Sequence, residues 1–392
     1  MPVGRLGLMA VAIEMVFLLL ALGGLAYMVL ALLGARSFAR WLRGRVGTPE
    51  FAPGVTVLKP LKGVDSRMYE ALASHCRQGY AGAYELLFGV SSAEDPACAV
   101  VERLRREFPD VAMRLLVCEE RLGTSGKVSN LVQMLRGASY EYVVVNDADI
   151  AAGPRYLERV MRGFADERVG MVTAPYVGRA AGGVWSKLEA LGIATDFMPG
   201  VLTARMLEGG IRFGLGSTLA MRRVALAKAG GFEAVLECLA DDYELGARIA
   251  GAGYRVELCG EVVETTVPAY TFGEFRDHQV RWARTVRDSR RWGYLGLGMT
   301  FCLPWAVLCC VASGLALWSF ALLSLAVLAR VSVALCVGVG VLRDGQVLRD
   351  LWLLPVRDCF GLGFWVWSFA GDTVVWRGER FRLKGGLLER VG

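Results

Sequence analysis

The stretch EYVVVNDADI, residues 141–150, begins as a run of aromatic and β-branched residues and ends in a polar segment with two aspartates. Such a run is typical of a buried strand. Asp147 and Asp149 follow its end, and in an extended segment the i, i+2 spacing puts both side chains on one side. Two close carboxylates repel each other unless a cation lies between them. The alternative is an aspartate-rich turn that caps the helix beginning near Pro154.

Strand-like and helix-like patterns alternate on both sides of this stretch, from about residue 50 to residue 295. Such alternation is typical of an α/β fold, in which helices cover a mostly parallel sheet. Ligands bind at the carboxyl ends of the strands in open sheets of this kind, which is where the two aspartates fall. The predicted strands are Val55–Leu58, Tyr84–Val90, Met113–Cys118, Tyr142–Val145 and Gly170–Ala174, and the predicted helices are Ser66–Arg77, Asp95–Phe108, Lys127–Leu135 and Pro154–Phe164.

The composition limits the kind of cation that this site can bind. The chain has only two histidines, His75 and His278, which excludes a histidine-rich zinc site. A cation bound by carboxylates is one that prefers oxygen ligands. We therefore expect Mg²⁺ or Mn²⁺ holding a diphosphate.

An uncharged segment near the N-terminus predicts a membrane anchor. Residues 15–35 carry no charge, and about 20 apolar residues are enough to span a bilayer. The segment lacks the small-residue cleavage site of a signal peptide. By the positive-inside rule, the basic residues after it face the cytoplasm, as in a multi-pass protein of a bacterial-type inner membrane. These residues are Arg36, Arg40, Arg43 and Arg45.

Two more apolar blocks lie near the C-terminus. Residues 301–342 are about twice as long as one span, so we expect two helices joined by a turn near Ser313–Ser319. Arg330 interrupts the second helix and should have either a packing or a substrate-facing role. Residues 360–375 are short, rich in tryptophan and followed by basic residues, which favours an interfacial or re-entrant helix. The basic residues are Arg377, Arg380, Arg382 and Lys384.

Three regions follow from these patterns, with the first boundary near residues 48–53. We expect an anchor and its basic flank at residues 1–48, a cytosolic α/β domain at residues 49–295, and a C-terminal membrane region with a basic tail at residues 296–392. The net charge of +6 lies largely beside apolar blocks, which indicates contact with the phospholipid bilayer rather than with nucleic acid. The ten cysteines form no C-x-x-C pair and are expected to be reduced.

Two charged motifs lie farther along the chain. ADDYELG, residues 240–246, reads as a helix that begins with two acids. Either Asp242 is a general base or both acids are partners of the helix dipole. HQVRWAR, residues 278–284, brings Arg281 and Trp282 together. Either these residues hold a departing diphosphate and pack an acceptor, or the segment is an amphipathic interfacial helix.

Three segments with glycine or lysine are further candidates. KVSNL, residues 127–131, begins a predicted helix. Either the backbone N–H groups of the helix start and Lys127 bind an anion, or Lys127 is an ordinary surface residue. FGLGSTLAMRR, residues 213–223, lacks the third glycine of a dinucleotide fingerprint, and it reads as a substrate-lining loop or strand, or as close packing. VLKPLKG, residues 57–63, places Lys59 and Lys62 after the first predicted strand. Either a nucleotide approaches these lysines, or they are solvated residues beside a Pro-Gly turn.

Taken together, these motifs resemble those of the family 2 and family 21 glycosyltransferases. The strongest likeness is to the ceramide glucosyltransferases and the bacterial hopanoid-biosynthesis glycosyltransferases. The resemblance rests on the order of VLKPLKG, LLFGVSSAEDPA, KVSNL, NDADI, ADDYELG and HQVRWAR, and it covers almost the whole chain. It implies a Rossmann-like GT-A fold with N- and C-terminal transmembrane helices, a nucleoside diphosphate sugar donor, a divalent metal and inversion at the anomeric carbon.

The resemblance also implies roles for individual residues. The metal- and diphosphate-binding D-x-D matches Asp147 and Asp149, the catalytic base matches Asp242 with Asp241 beside it, and the end of the (Q/R)-x-x-R-W motif matches Arg281 and Trp282. With these, we expect Lys59, Lys127 and Arg281 to take part in donor binding.

The chain departs from the family pattern at two places. The last motif begins at His278, with Gln279 beside it, where the family has Gln or Arg. The family aspartate that contacts the nucleotide base would align near Ser92, and Glu94 and Asp95 follow it. Either this acid has shifted register, in which case Glu94 and Asp95 bind the donor, or the base contact is made differently.

The resemblance predicts a membrane-bound enzyme that moves one sugar, glucose or N-acetylglucosamine, from a UDP-sugar to the hydroxyl of a membrane lipid. The expected acceptor is ceramide or a hopanoid polyol. One alternative is a processive polysaccharide synthase, which generally needs more membrane helices than this sequence predicts. The other is a catalytically inactive membrane scaffold on the same fold, an interpretation that Ser92 and His278 motivate.

Overall fold

The computed structural model describes residues 3–45, 51–376 and 379–390. The predicted domain boundary near residues 48–53 lies partly outside these ranges, and Arg377 of the predicted basic tail lies outside them.

A seven-stranded sheet forms the centre of the fold. In chain order, the strands of the described chain are β1 (Val55–Pro60), β2 (Tyr84–Val90), β3 (Ala112–Val117), β4 (Tyr142–Val145), β5 (Val169–Thr173), β6 (Tyr176–Ala180), β7 (Leu219–Arg222), β8 (Arg255–Leu258), β9 (Val263–Val267), β10 (Thr373–Trp376), β11 (Glu379–Lys384) and β12 (Leu387–Arg390). The central sheet has the order β3-β2-β1-β4-β7-β5-β8, while β6 pairs with β9 and the last three strands form a third sheet.

The central sheet is mostly parallel. β1 pairs in parallel with both β2 and β4, so that Val55 lies between Tyr84 and Tyr142. β7 is antiparallel to both of its neighbours, β4 and β5. The apolar runs of β1, β2 and β4 are buried on both faces, as is usual for parallel strands that helices cover. The predicted α/β fold is therefore confirmed.

Helices cover the sheet and make up most of the N- and C-terminal regions of the described chain. In chain order, they are α1 (Val3–Gly44), α2 (Met68–Cys76), α3 (Ala97–Glu107), α4 (Gly126–Arg136), α5 (Tyr156–Met161), α6 (Gly183–Gly192), α7 (Met198–Leu207), α8 (Arg223–Lys228), α9 (Asp241–Gly251), α10 (Phe272–Ser289), α11 (Arg291–Leu297), α12 (Cys302–Ala312), α13 (Leu317–Val333), α14 (Gln346–Asp350) and α15 (Leu354–Ser368). Ile193–Phe197 is a π-helical segment between α6 and α7, and Ala334–Val341 is a π-helical extension of α13.

The predicted elements between residues 55 and 174 all occur, with shifted ends. The helix predicted at Pro154–Phe164 shows the largest change, because only Tyr156–Met161 is α-helical and a 3-10 turn at Arg162–Ala165 completes it. β6 and β9 were not predicted, because each has five residues, too few for a pattern that separates a strand from other short apolar runs. The antiparallel β7 lies within residues 213–223, for which a loop or a strand was expected.

Two helices of the described chain are long and apolar enough to cross a membrane. They are Leu8–Gly44, within α1, and Leu317–Val341, which joins α13 to its π-helical extension. α12 follows the predicted division of residues 301–342 into two helices, but its 11 residues are too few to span a bilayer alone. α12 is long and apolar enough to cross a membrane only if it is combined with Arg291–Thr300, and the two segments are bent by 56° relative to each other.

The membrane helices pack closely around α1. A Cβ on Gly24 would lie 2.7 Å from the Cα of Cys302 in α12, and a Cβ on Gly34 would lie 2.9 Å from the carbonyl oxygen of Leu202 in α7. Small residues allow such close approach of helix backbones in membranes. α1 is therefore joined both to α12 in the membrane region and to α7, which continues into the α/β domain.

The chain after α15 differs from the prediction. The helix expected at residues 360–375 is α15, which ends at Ser368, and the basic tail forms the sheet β10–β12. Gly371, with a φ of 136°, lies in the turn between them. Arg284 of α10 donates to the backbone carbonyl of Thr373, and Leu388 N donates to Glu237 O at 2.9 Å. The tail is thus docked on the α/β domain.

Candidate active site

A cavity of about 1480 Å³ lies at the carboxyl ends of the central strands and continues between the membrane helices. At the sheet its walls include Asp147, Asp149 and Asp242. At the other end they include Tyr27 of α1 and Phe364 of α15. The carboxyl ends of the strands are the position at which open α/β sheets bind ligands. The cavity therefore joins a carboxylate-rich end at the sheet to an end formed by the N- and C-terminal helices.

The two aspartates after β4 lie in a bend that is held on both sides. Asn146 is fully buried, and its Nδ2 donates to Ser217 O at 2.7 Å. Asp149 accepts a hydrogen bond from Thr265 Oγ1 of β9. Burial and the neighbouring Asp147 carboxylate raise the pKa of Asp149. The pair thus lies at the cavity wall in an environment that favours a cation. Asn146 is part of the NDADI motif, but Thr265 belongs to no sequence motif.

Lys127 supplies positive charge from the first turn of α4. Its Nζ lies 2.8 Å from Asp147 Oδ1 and 3.3 Å from Asp241 Oδ2. Burial alone would lower the pKa of Lys127, but Asp147 and Asp241 hold it above the ordinary value. Ser125 caps α4 by accepting from Val128 N at 3.3 Å. Lys127 is therefore a charged bridge between the two acidic segments and not a surface residue.

The first turn of α9 brings Asp241 and Asp242 to the same place. Asp242 Oδ1 accepts from Tyr243 N at 2.8 Å. Burial and the Asp241 carboxylate raise the pKa of Asp242 to about 6. Within the described chain, the buried Asp241 Oδ2 accepts no hydrogen bond, although Lys127 Nζ lies 3.3 Å away as an ion pair. A carboxylate with a pKa near neutrality is suited to act as a general base.

The loop at residues 213–217 packs directly on α9. Gly214 N donates to Asp242 O at 3.3 Å, and a Cβ on Gly246 would lie 2.2 Å from Gly214 N. A Cβ on Gly216 would lie 3.1 Å from Asp242 Oδ2 and 3.8 Å from Asp147 Oδ2. The loop therefore lines the cavity and also packs closely against α9. Lining of the cavity and close packing were given as alternatives for this segment, and both apply.

Gly246→Ala is expected to lower the melting temperature of the protein and to lower its turnover. Since the added Cβ would meet backbone atoms of the loop, the loop must shift, and overpacking of this kind typically costs about 1–3 kcal/mol. The matched control is Gly251→Ala in the same helix, where the described residues leave the space within 4 Å of the new Cβ open. Thermal unfolding of both variants checks the prediction, and equal melting temperatures would contradict it.

Lys59 lies behind the site and does not line the cavity. Its side chain is fully buried, with Nζ 2.8 Å from His75 Nε2, and it donates to the backbone carbonyl of Asp147 at 3.2 Å. Burial lowers the pKa of Lys59 to about 7, although Asp149 and Asp147 oppose the shift. The prediction of a direct donor contact is therefore corrected: Lys59 supports the backbone of the D-x-D segment.

The two acids after β2 have different positions. Asp95 borders the cavity, and its carboxylate accepts from Gly63 N at 3.0 and 3.1 Å, so it fixes the loop after β1. Glu94 is exposed and accepts from Ser92 Oγ at 3.1 Å, outside the cavity wall. Ser92 itself lines the cavity. Of the two acids predicted to bind the donor, only Asp95 is placed to do so.

The predicted motif on α10 lines the cavity beside α6. His278 Nδ1 lies 2.9 Å from Glu189 Oε2, and Gln279 Nε2 donates to the same oxygen at 3.2 Å. Trp282 packs with its ring centroid 5.2 Å from that of His278, and Arg281 lines the cavity next to it. Glu189 is buried and contacts both residues at the start of the motif, His278 and Gln279. The sequence did not predict this role, because Glu189 is a single acid in α6 and belongs to no motif.

The carboxylates fit a cation that arrives with a diphosphate. In residues 3–45, 51–376 and 379–390, no three His, Cys, Asp or Glu side chains are grouped as a metal site. Asp147 and Asp149 can offer oxygen ligands from one wall, and the unbonded Asp241 oxygen nearby adds negative charge. Mg²⁺ is commonly bound in this manner, by one or two carboxylates together with phosphate oxygens and water.

The sequence profile of glycosyl transferase family 21 matches residues 16–388 of the chain. Among curated proteins, the chain is 26% identical over 252 residues to ceramide glucosyltransferase 3 of Caenorhabditis elegans, which covers 64% of the chain and 54% of that protein. It is 28% identical over 234 residues to ceramide glucosyltransferase 1 of the same organism, covering 59% of the chain and 49% of that protein. The chain thus spans about half the length of these curated relatives.

Among solved structures, the chain is similar to a mannosyltransferase from Pyrobaculum calidifontis in complex with GDP-Man and Mn²⁺. The identity is 20% and the TM-score is 0.48, with 90% of this chain and 98% of that chain covered.

Proposed function

Because the chain belongs to glycosyl transferase family 21, we propose that it moves one sugar from a UDP-sugar to the hydroxyl of a membrane lipid. The proposed sugar is glucose or N-acetylglucosamine, and the proposed acceptor is ceramide or a hopanoid polyol. The observation that carries this proposal is the shape of the cavity, which runs from Asp147, Asp149 and Asp242 at the sheet to the walls formed by membrane helices. A lipid acceptor can then present its hydroxyl to the acids while its apolar body stays among the helices.

In this proposal the reaction is a single displacement with inversion. Asp242 takes the proton of the acceptor hydroxyl, because its raised pKa of about 6 makes it a stronger base than an ordinary aspartate and leaves it ionised above that pH. Lys127 and Arg281 stabilise the negative charge of the leaving diphosphate. Asp241 keeps Lys127 charged and in place through the ion pair at 3.3 Å. Trp282 packs against the acceptor.

We further propose that Asp147 and Asp149 hold Mg²⁺ or Mn²⁺ together with the donor diphosphate. The cation supplies Lewis-acid stabilisation of the leaving group when it is bound. The residues of the chain contribute orientation: Asn146 and Thr265 fix the bend, and Lys59 holds the backbone of Asp147 from behind.

The proposed membrane orientation places the α/β domain in the cytoplasm. Arg45, at the end of the basic flank of α1, forms an ion pair with Glu257 of β8. The basic flank therefore lies on the same side as the α/β domain. By the positive-inside rule this is the cytoplasmic side, where UDP-sugars are available to the cavity.

The test is transfer of labelled sugar in lipid nanodiscs that contain the full chain. UDP-glucose and UDP-N-acetylglucosamine are each combined with ceramide and with a hopanoid polyol, and mass spectrometry identifies the product. The expected result is a lipid that carries one sugar and is formed only with Mg²⁺ or Mn²⁺. A long polymer would favour the processive synthase, and no metal-dependent turnover with any combination would favour the inactive scaffold.

A further inference from the structure

A second charged group of side chains lies at the membrane end of the cavity, apart from the acids at the sheet. It joins the π-helical segment, α13 and α15, and consists of Asp196, Arg330, Arg357 and Asp358. Arg330 lies in a helix that is long and apolar enough to cross a membrane, where a charged side chain is costly and usually serves a function. The reaction at the sheet uses none of these residues.

Arg330 and Asp358 form the fixed part of this group. Arg330 is 2% exposed, and its Nε donates to both carboxylate oxygens of Asp358, at 3.0 and 2.9 Å. Its Nη1 donates to the backbone carbonyl of Thr195 at 2.9 Å. These contacts give Arg330 the packing role that was one of its two expected roles. Through them, Arg330 connects α13 to α15 and to the π-helical segment.

Asp196 is the part that faces the cavity. It accepts a hydrogen bond from Arg330 Nη2, and its Oδ2 lies 3.0 Å from Arg357 Nε, yet its side chain is 31% exposed. A carboxylate has about four lone-pair sites, so two guanidinium contacts leave acceptor capacity free. π-helical segments inside helices occur frequently at functional sites, because they redirect side chains from the regular helix surface.

Arg357 adds unused donors beside this carboxylate. Its side chain is only 13% exposed, and within the described part of the chain neither Nη1 nor Nε makes a hydrogen bond, although Nε forms the ion pair with Asp196. The absence of a side chain at Gly192 makes room for the guanidinium, since a Cβ there would lie 2.3 Å from Arg357 Nε. Arg357 lines the cavity, so the exposed part of its guanidinium can donate to a molecule bound there.

The charged group is linked to the acids at the sheet by aromatic side chains. Phe197, next to Asp196, has its ring centroid 5.7 Å from that of Tyr176 and 6.3 Å from that of Trp282. Tyr176 and Trp282 both line the cavity, and Tyr176 lies within the electrostatic reach of Asp242. A molecule whose hydroxyl is at Asp242 therefore has this aromatic group and Asp196 on the side of the N- and C-terminal helices.

We propose that Asp196 and Arg357 form an acceptor subsite that binds the polar groups next to the reactive hydroxyl of the lipid. Asp196 accepts from an N–H or O–H of the lipid, and Arg357 donates to a carbonyl or hydroxyl oxygen. The chemistry of the pair matches an amide or a second hydroxyl beside the reactive one, and Arg330 positions Asp196. This inference rests on the proposed lipid glycosyltransferase function and assigns its acceptor selectivity.

The test is a double-mutant cycle in which one change is made in the protein and the other in the lipid acceptor. Rates are measured in nanodiscs for the wild type and Asp196→Asn, with ceramide and with ceramide analogues that lack the secondary hydroxyl or carry an N-methylated amide. Where the wild type uses a hopanoid polyol instead, the analogue lacks the neighbouring hydroxyl. Each single change is expected to lower kcat/KM for the lipid about tenfold or more, the usual effect of losing a hydrogen bond to a charged group. KM for the UDP-sugar stays unchanged.

The subsite predicts that the two losses do not add, because both changes take away the same hydrogen bond between the lipid and a charged carboxylate. Asp196→Asn with the matching analogue should be no slower than either change alone. Losses that multiply for every analogue, or an unchanged lipid KM in Asp196→Asn, would overturn the subsite. The control Asp344→Asn removes a buried acid paired with Arg179 at 2.7 Å, outside the cavity wall, and should leave lipid selectivity unchanged. A wild type that glycosylates no lipid would instead reject the proposed function, and the subsite with it.

Discussion

Asp242→Asn is expected to lower sugar transfer to lipid by about a thousandfold or more while the chain stays folded, since general base catalysis typically contributes about 10²–10⁴ in rate. Asparagine has nearly the same shape, and its Oδ1 can still accept the hydrogen bond from Tyr243 N. What it lacks is the charge that removes the proton from the acceptor hydroxyl. The measurement is kcat with saturating UDP-sugar and lipid in nanodiscs.

Although Asp242→Asn should lose activity, its thermal stability should stay the same or increase. Burial and Asp241 raise the pKa of Asp242 to about 6, so above that pH the folded state holds a charge that the unfolded state solvates better. This ionised carboxylate therefore destabilises the fold at pH 8, and the destabilisation decreases as the pH falls below about 6 and is gone below the ordinary aspartate pKa of about 4. Asp242→Asn should melt at the wild-type temperature or higher at pH 8. A lower melting temperature would contradict the raised pKa.

Glu244→Gln is the matched control for this prediction. Glu244 lies in the same first turn of α9, but it pairs with Arg248 at 2.9 Å and does not line the cavity. If the acids of this turn served only the helix dipole, both variants would lose a little stability and keep their turnover. Full loss of transfer in Asp242→Asn with normal transfer in Glu244→Gln assigns the base. Near wild-type transfer in both would reject it.

The sequence was sufficient for those parts of the site that depend on local patterns. The run before Asp147 has the β-branched composition of a buried strand, and the alternation around it requires parallel crossovers, so the pair had to fall at the ligand edge. The same reasoning placed Lys127 at the start of a helix that faces this edge. In each case the signal lies within about ten neighbouring residues of the chain.

Features that depend on distant contacts could not be predicted. Lys59 carries the same pattern whether it points to a nucleotide or into the core, and only its contact with His75 shows that it points inward. Asp196 and Arg330 are 134 residues apart, and neither belongs to a motif. The strand β10 was read as the end of an apolar helix, because a run of three apolar residues after Thr373 suits either structure until the pairing with β11 is known.

Asp149→Ala is expected to abolish detectable transfer and to remove the Mn²⁺ dependence of UDP-sugar binding. Asp149 is held by Thr265, and its pKa is raised by burial and by Asp147, so the pair is an unfavourable arrangement without a cation. Removing one of the two carboxylates leaves Asp147 engaged with Lys127 at 2.8 Å and takes away the second oxygen ligand. Transfer assays and calorimetric titration of UDP with and without Mn²⁺ measure the two effects.

Thr265→Val separates the role of the carboxylate from that of its support. It removes the hydrogen bond to Asp149 but keeps both acids, so UDP binding should still depend on Mn²⁺, with transfer lowered about tenfold or less, the usual effect of losing one hydrogen bond. An Asp149→Ala variant that kept both its turnover and its response to Mn²⁺ would show that the pair is only a turn that precedes α5. Loss of the Mn²⁺ response in Asp149→Ala but not in Thr265→Val would mean that the carboxylate itself binds the cation, because the two changes disturb the same bend and only one removes an oxygen ligand.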